Sequence, residues 1–185
     1  MPLLVLAVGC SKEDIAPAAE SATRFTLRVC PEETQAVTRA ADERAVKDMN
    51  VFLFDPQGIR PSQHFYVQGG VLERSIPAGR YDVYAVANLH EDMGPMSREA
   101  LLAYEFRVPR SYTSLPMSGY AACTVGKGTP EATVTVRRNV AKIVCNISFY
   151  GVDYDLKLQS VQMMDMAGVT TLFAEDQQAR KLTSS

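Results

Sequence analysis

From Thr23 to Cys30 the residues alternate, with Phe25, Leu27 and Val29 on one side and Thr26, Arg28 and Cys30 on the other. That period of two predicts a strand with one buried face, read here as an edge strand that opens a sandwich. Pro31 to Arg44 is polar and charged, with little to bury, so it reads as an exposed loop of the kind proteases cut. Val46 to Phe54 holds the run Val51-Phe52-Leu53-Phe54, and Asp55-Pro56-Gln57-Gly58 behind it has the proline and glycine of a tight turn. A hairpin into Phe65-Tyr66-Val67 follows, its early part confined by Pro61 to an edge or a bulge. Leu72 to Ile76 is a further short strand, and Pro77-Ala78-Gly79 a turn. In the longer strand from Arg80 to Asn88, Tyr81, Val83, Ala85 and Ala87 share one face and Asp82, Tyr84, Val86 and Asn88 the other.

Ser97 to Phe106 is the one stretch with helical bias, with Ser97 as cap and Glu99 to Ala103 as good helix formers. Pro109 and Pro116 bound a loop leading to Met117-Ser118-Gly119-Tyr120. Ala132 to Val136 and Val140 to Phe149 alternate again, with Arg137-Arg138-Asn139 between them, and Tyr154 to Met164 alternates after a turn at Gly151. Many short strands, one short helix and frequent turns predict an all-β sandwich and disfavour a parallel α/β architecture.

The 185 residues suit one domain of ordinary size with the beginning of another, and 46% apolar against 22% charged residues describes a globular chain. A formal net charge of −2 provides no field to hold phosphate backbones, so nucleic acid is not an expected partner. No G-x-S-x-G elbow, H-E-x-x-H helix or paired-cysteine knuckle occurs; His64 and His90 stand in no ligand spacing; Gly126-Lys127-Gly128 reads as a turn. No catalytic residue, metal or cofactor is expected. Leu3 to Val8 is too short to span a bilayer, but with Gly9 and Cys10 behind it the segment has the form of a lipoprotein signal. Of the remaining cysteines, Cys30 and Cys145 lie in apolar runs and are expected to be buried, reduced core thiols beside Cys123.

Taken in order, the segment ending in Cys10, the Thr38-Arg39-Ala40 loop, Val51 to Asp55 before a glycine turn, Ile76-Pro77-Ala78-Gly79-Arg80-Tyr81 leading to Ala87-Asn88, Leu115-Pro116-Met117-Ser118-Gly119 and Arg138-Asn139-Val140-Ala141-Lys142-Ile143 resemble the N-terminal half of fimbrillins, subunits of type V pili of certain Gram-negative anaerobes. The resemblance spans roughly residues 1 to 165 and rests on the shared order of short motifs. It implies a transthyretin-like Greek-key β-sandwich exported as an outer-membrane surface lipoprotein. It further implies lipidation at Cys10, a cut by an arginine-specific protease after Arg39 with Arg44 as the alternative, and removal of the strand bearing Phe25, Leu27 and Val29. The emptied groove then accepts a strand from another fimbrial subunit. The organisation so implied is a signal peptide (1–9), a lipidated tether with the removable first strand (10–39), a sandwich (40–166), and a tail or the start of a second domain (167–185). From a different class comes a monomeric surface lipoprotein that binds glycans or peptides through Tyr66, Tyr81, Tyr84, Tyr104, Tyr112 and Tyr120, without the tryptophan usual in sugar platforms.

Overall fold

The computed structural model describes residues 22–32, 45–108, 114–140, 145–148, 158–162, 164, 167–173 and 180–181; Cys10, Arg39, Arg44 and Tyr112 lie outside them. In chain order the elements are β1 (Ala22–Pro31), β2 (Asp48–Phe54), β3 (Gln63–Gln68), β4 (Val71–Pro77), β5 (Gly79–Ala87), α1 (Arg98–Leu102), β6 (Glu105–Arg107), β7 (Met117–Val125), β8 (Glu131–Arg138), β9 (Ala167–Thr171) and β10 (Arg180–Lys181). The chain is thus all-β with one short helix, as the alternation predicts.

Seven strands hydrogen-bond in the order β3-β2-β5-β7-β8-β1-β4. β8 runs parallel to β1 from Thr26↔Glu131 to Pro31↔Val136, yet meets β7 only at Met117↔Arg138 and Ser118↔Arg137. The sheet folds over at that seam, so that β4, β1 and β8 face β3, β2, β5 and β7. Between them lies a core of Phe25, Leu27, Val29, Leu72, Ile76, Val134 and Val136 against Met49, Val51, Leu53, Tyr81, Val83, Ala85, Ala87 and Met117. Gly119 permits the fold-over: a Cβ there would stand 2.1 Å from the Thr135 carbonyl oxygen, so only a hydrogen fits.

A second apolar layer covers the outer face of β2 and β5. Phe52, Phe54, Tyr84 and Val86 pack there against Leu101 of α1, Phe106 of β6 and Leu172 just after β9. Burial on both faces explains why β2 reads as an unbroken apolar run rather than an alternating one. The small sheet β10-β9-β6 belongs to this layer. The segment from Ala167, which the sequence leaves uncommitted, therefore includes a strand antiparallel to β6.

The structure departs from the sequence expectations at several elements. β1 is not an edge strand: it lies between β4, antiparallel, and β8, parallel. The helix spans only Arg98–Leu102; Ser97 caps it by accepting from the Ala100 amide at 3.1 Å, but the next residues join β6, where Phe106 gains the outer apolar layer. Where the sequence predicts the end of a loop, because Ser118, Gly119 and the alanines carry no β-branched signal, β7 pairs with β5 along its whole length. The described parts of the alternating stretches 140–149 and 154–164 fall outside strands, and Ile147, Leu158 and Val161 are exposed. Alternation says which residues would share a face, whereas a strand forms only where an edge accepts its backbone. Cys30 and Cys145 are exposed rather than buried. Cys30 has the opposite parity to Val29, so the pleat turns it outward.

Candidate functional site

The residues singled out on β1 meet in one place. Phe25, Leu27 and Val29 are 1%, 0% and 4% exposed, while Arg24, Arg28 and Cys30 on the alternate positions face out. Together the three fill a slot whose walls are β4 and β8. Its backbone is bonded on both sides, and beyond the ladders the Val29 amide donates to Gly70 O, the Thr26 amide to Pro130 O and the Glu32 amide to Val136 O, each at 2.8 Å. Gly70 lies so close to the strand that a Cβ there would be 3.0 Å from the Val29 carbonyl oxygen. Two ion pairs close the outer rim, Arg24 with Glu73 of β4 and Arg137 of β8 with Glu32, both at 2.9 Å. With β1 withdrawn, the slot would present two unpaired strand edges and an apolar floor.

Residues of the ordered motifs tie neighbouring elements together. Asn88 adopts a left-handed backbone (φ 62°), tolerable for asparagine. Its Oδ1 accepts from the Lys47 amide at 2.8 Å and its Nδ2 donates to Ala45 O and Leu115 O, each at 3.1 Å, which joins the entry to β2, the end of β5 and the approach to β7. Tyr81 donates its hydroxyl to Pro77 O at 3.0 Å and so clamps the β4–β5 turn. At the far end of β8, Asn139 donates to Ser118 Oγ at 2.9 Å and to Leu172 O at 2.8 Å, tying β8 to β7 and to the outer layer.

A line of polar groups that the sequence did not single out runs from Asp48 through His90 to Ser114. Asp48 bonds His90 Nδ1 and also accepts from the His90 amide at 3.0 Å, and His90 Nε2 stands 2.9 Å from Ser114 Oγ. The order is that of a hydrolase triad, but Ser114 is 1% exposed, so its hydroxyl is shielded from any external carbonyl. What the line does here is bind β2 to the loops before α1 and before β7. His64 leans on Phe52, its ring centroid 4.5 Å away; burial lowers its pKa below 6.5, and Asp92 opposes that in part. The half-buried Cys123 thiol has its pKa raised, first by burial and then by the charge of Asp82.

Among the described residues the tyrosines do not assemble a binding platform. Tyr81 and Tyr84 are buried; Tyr104 donates to Glu91 at 3.2 Å; Tyr120, 52% exposed, donates to Asp82 at 2.9 Å. That bond is the main cause of the raised Tyr120 pKa. No helix among the described residues is long and apolar enough to cross a membrane.

The class these features define is an all-β sandwich that keeps its first strand in the middle of a sheet, between two strands from later in the chain. No family model matches the chain and no curated protein matches it. Among solved structures it is similar to a fimbrial assembly protein from Parabacteroides distasonis, at 15% identity and a TM-score of 0.49 over 64% of this chain and 53% of that one. It is also similar to a fimbrilin from Porphyromonas gingivalis, at 16% identity and a TM-score of 0.48 over 65% of this chain and 40% of that one. The chain thus spans about half the length of the first and two fifths of the second.

Proposed function

We propose that this chain is a structural, non-enzymatic component of a surface fimbria, exported as an outer-membrane lipoprotein through Cys10 and assembled by replacement of its first strand. The observation that carries this reading is the position of β1: it fills a slot between β4 and β8 and is followed by the segment that holds Arg39 and Arg44. Full burial of an apolar side chain of this size contributes ~1.5–3 kcal/mol, so Phe25, Leu27 and Val29 hold the uncut strand firmly. Cleavage after Arg39, or after Arg44, ends the covalent link to the slot, and β1 loses the effective concentration that the link supplied. The vacated slot then takes an extended strand from another subunit by strand addition.

The test is to express the chain from Ser11, treat it with an arginine-specific protease, and map the new N-terminus. The expected product begins at Ala40, or at Ala45 for the alternative cut, releases the β1 segment and captures a peptide copied from it. A cut chain that keeps β1 bound, admits no peptide and stays monomeric would count against strand replacement. Labelled palmitate should enter the wild-type protein in its native host and not the Cys10→Ser variant; absence of label from both would sink the lipid anchor.

A further inference from the structure

The slot accepts a strand between two walls that run in opposite directions, because β1 is antiparallel to β4 and parallel to β8. A strand entered backwards would still form one parallel and one antiparallel ladder, so backbone pairing does not choose a direction. Nor does the apolar pattern choose one decisively. Phe25, Leu27 and Val29 are spaced symmetrically about Leu27, and a reversed strand still sends its three apolar residues to the core.

The outer rim is asymmetric. Glu73 and Glu131 flank Thr26 from the two walls, and Arg24, beside Thr26, pairs with Glu73. At the other end Arg137 binds Glu32 through Nη2 at 2.9 Å and Nε at 3.1 Å. Reversal about Leu27 would break both pairs, but it would also carry Arg28 to the place of Thr26, between Glu73 and Glu131, so the acidic end of the rim does not choose a direction. It would also carry Arg24 to the place of Cys30, opposite Thr135 and one diagonal step from Arg137, the same kind of step across which Arg24 reaches Glu73. Like charges there repel.

We propose that Arg137 sets the direction of the incoming strand, and that its partner is an extended segment with three alternating apolar residues followed by an acidic residue at its end. This rests on the strand-replacement reading above. The Arg137–Glu32 pair is exposed, so it is expected to change capture by about 2–5-fold, less in high salt.

The test uses the full chain with the site of a sequence-specific protease introduced between positions 33 and 44, so that release of β1 does not depend on Arg39 or Arg44. After cleavage, a synthetic peptide copying residues 22–32 with a nitroxide on its N-terminus is added in excess. In the wild-type slot the nitroxide should broaden amide signals near Pro77 and Glu131 and spare those near Gly70 and Val136. In the slot carrying Arg137→Glu, capture of that peptide should fall by about fivefold, with broadening at both ends. A peptide with Glu32→Arg should regain it, and the neutral slot variant Arg137→Gln should fall between. If the peptides bind all slots alike, or enter the charge-reversed slot in one unchanged direction, the rim does not set direction although strand replacement stands. If no slot captures either peptide, strand replacement itself fails and this proposal with it.

Discussion

Gly119 has a single physical duty, to let β7 and the Thr135 carbonyl come within a distance that no side chain tolerates. Gly119→Ala is therefore expected to destabilise the chain by about 3 kcal/mol or more, at or beyond the upper end of ordinary overpacking, seen as a lower urea midpoint. His64 gives the fold a pH dependence. Burial keeps the folded-state pKa below 6.5, so the unfolded chain takes up the proton first, and stability present above about pH 6.5 is lost as pH falls towards the lowered folded value. A His64→Gln variant should lose that slope in denaturation curves recorded between pH 7.5 and 5. The cysteines should separate under an alkylating reagent, with Cys30 and Cys145 modified fast and Cys123 slowly, because burial both shields the Cys123 thiol and raises its pKa. Peptide mapping after timed quenches reads the order; equal rates would contradict it. At this scale much was legible. The parity of Phe25, Leu27 and Val29 placed all three on the buried face, and the same parity, applied to Cys30 instead of its apolar surroundings, would have placed it outside.

Among the elements, β1 is the one on which the proposed function turns, and its two faces should respond differently. Leu27→Ala leaves a cavity between the layers and is expected to cost about 2–5 kcal/mol, whereas Arg28→Ala, on the outward face, should stay within about 0.5 kcal/mol. Urea unfolding of the uncut chain checks both. Strands with clear alternation or long apolar runs, β1, β2, β4, β5 and β8, could be read from the chain because side-chain period is a local property. β7 could not, since small residues selected for a close crossing resemble a loop. The helix was recognised by Ser97 and lost its second half to β6, where pairing with β9 and burial of Phe106 outweigh weak helical preference.

For the molecule as a whole, the two apolar layers should separate energetically. Leu172 seals the outer layer and its carbonyl oxygen receives Asn139 Nδ2 and Ser118 Oγ. Leu172→Ala is expected to cost about 2–5 kcal/mol, with faster hydrogen exchange in α1, β6 and β9 while amides of β1, β4 and β8 stay protected. Uniform loss of protection would mean that the layers unfold as one. What the sequence by itself determined is the all-β class and the face on which the apolar residues of β1 and β5 lie, because side-chain period is written in neighbouring residues. Only the tertiary structure decided that β1 lies between β4 and β8 instead of at an edge, that Asp48, His90 and Ser114 form one line, and that Glu73 and Arg137 stand at opposite ends of the slot. Each of these joins residues far apart in the chain, and which distant edge a strand finds is settled by the fit of the whole core, not by any local pattern.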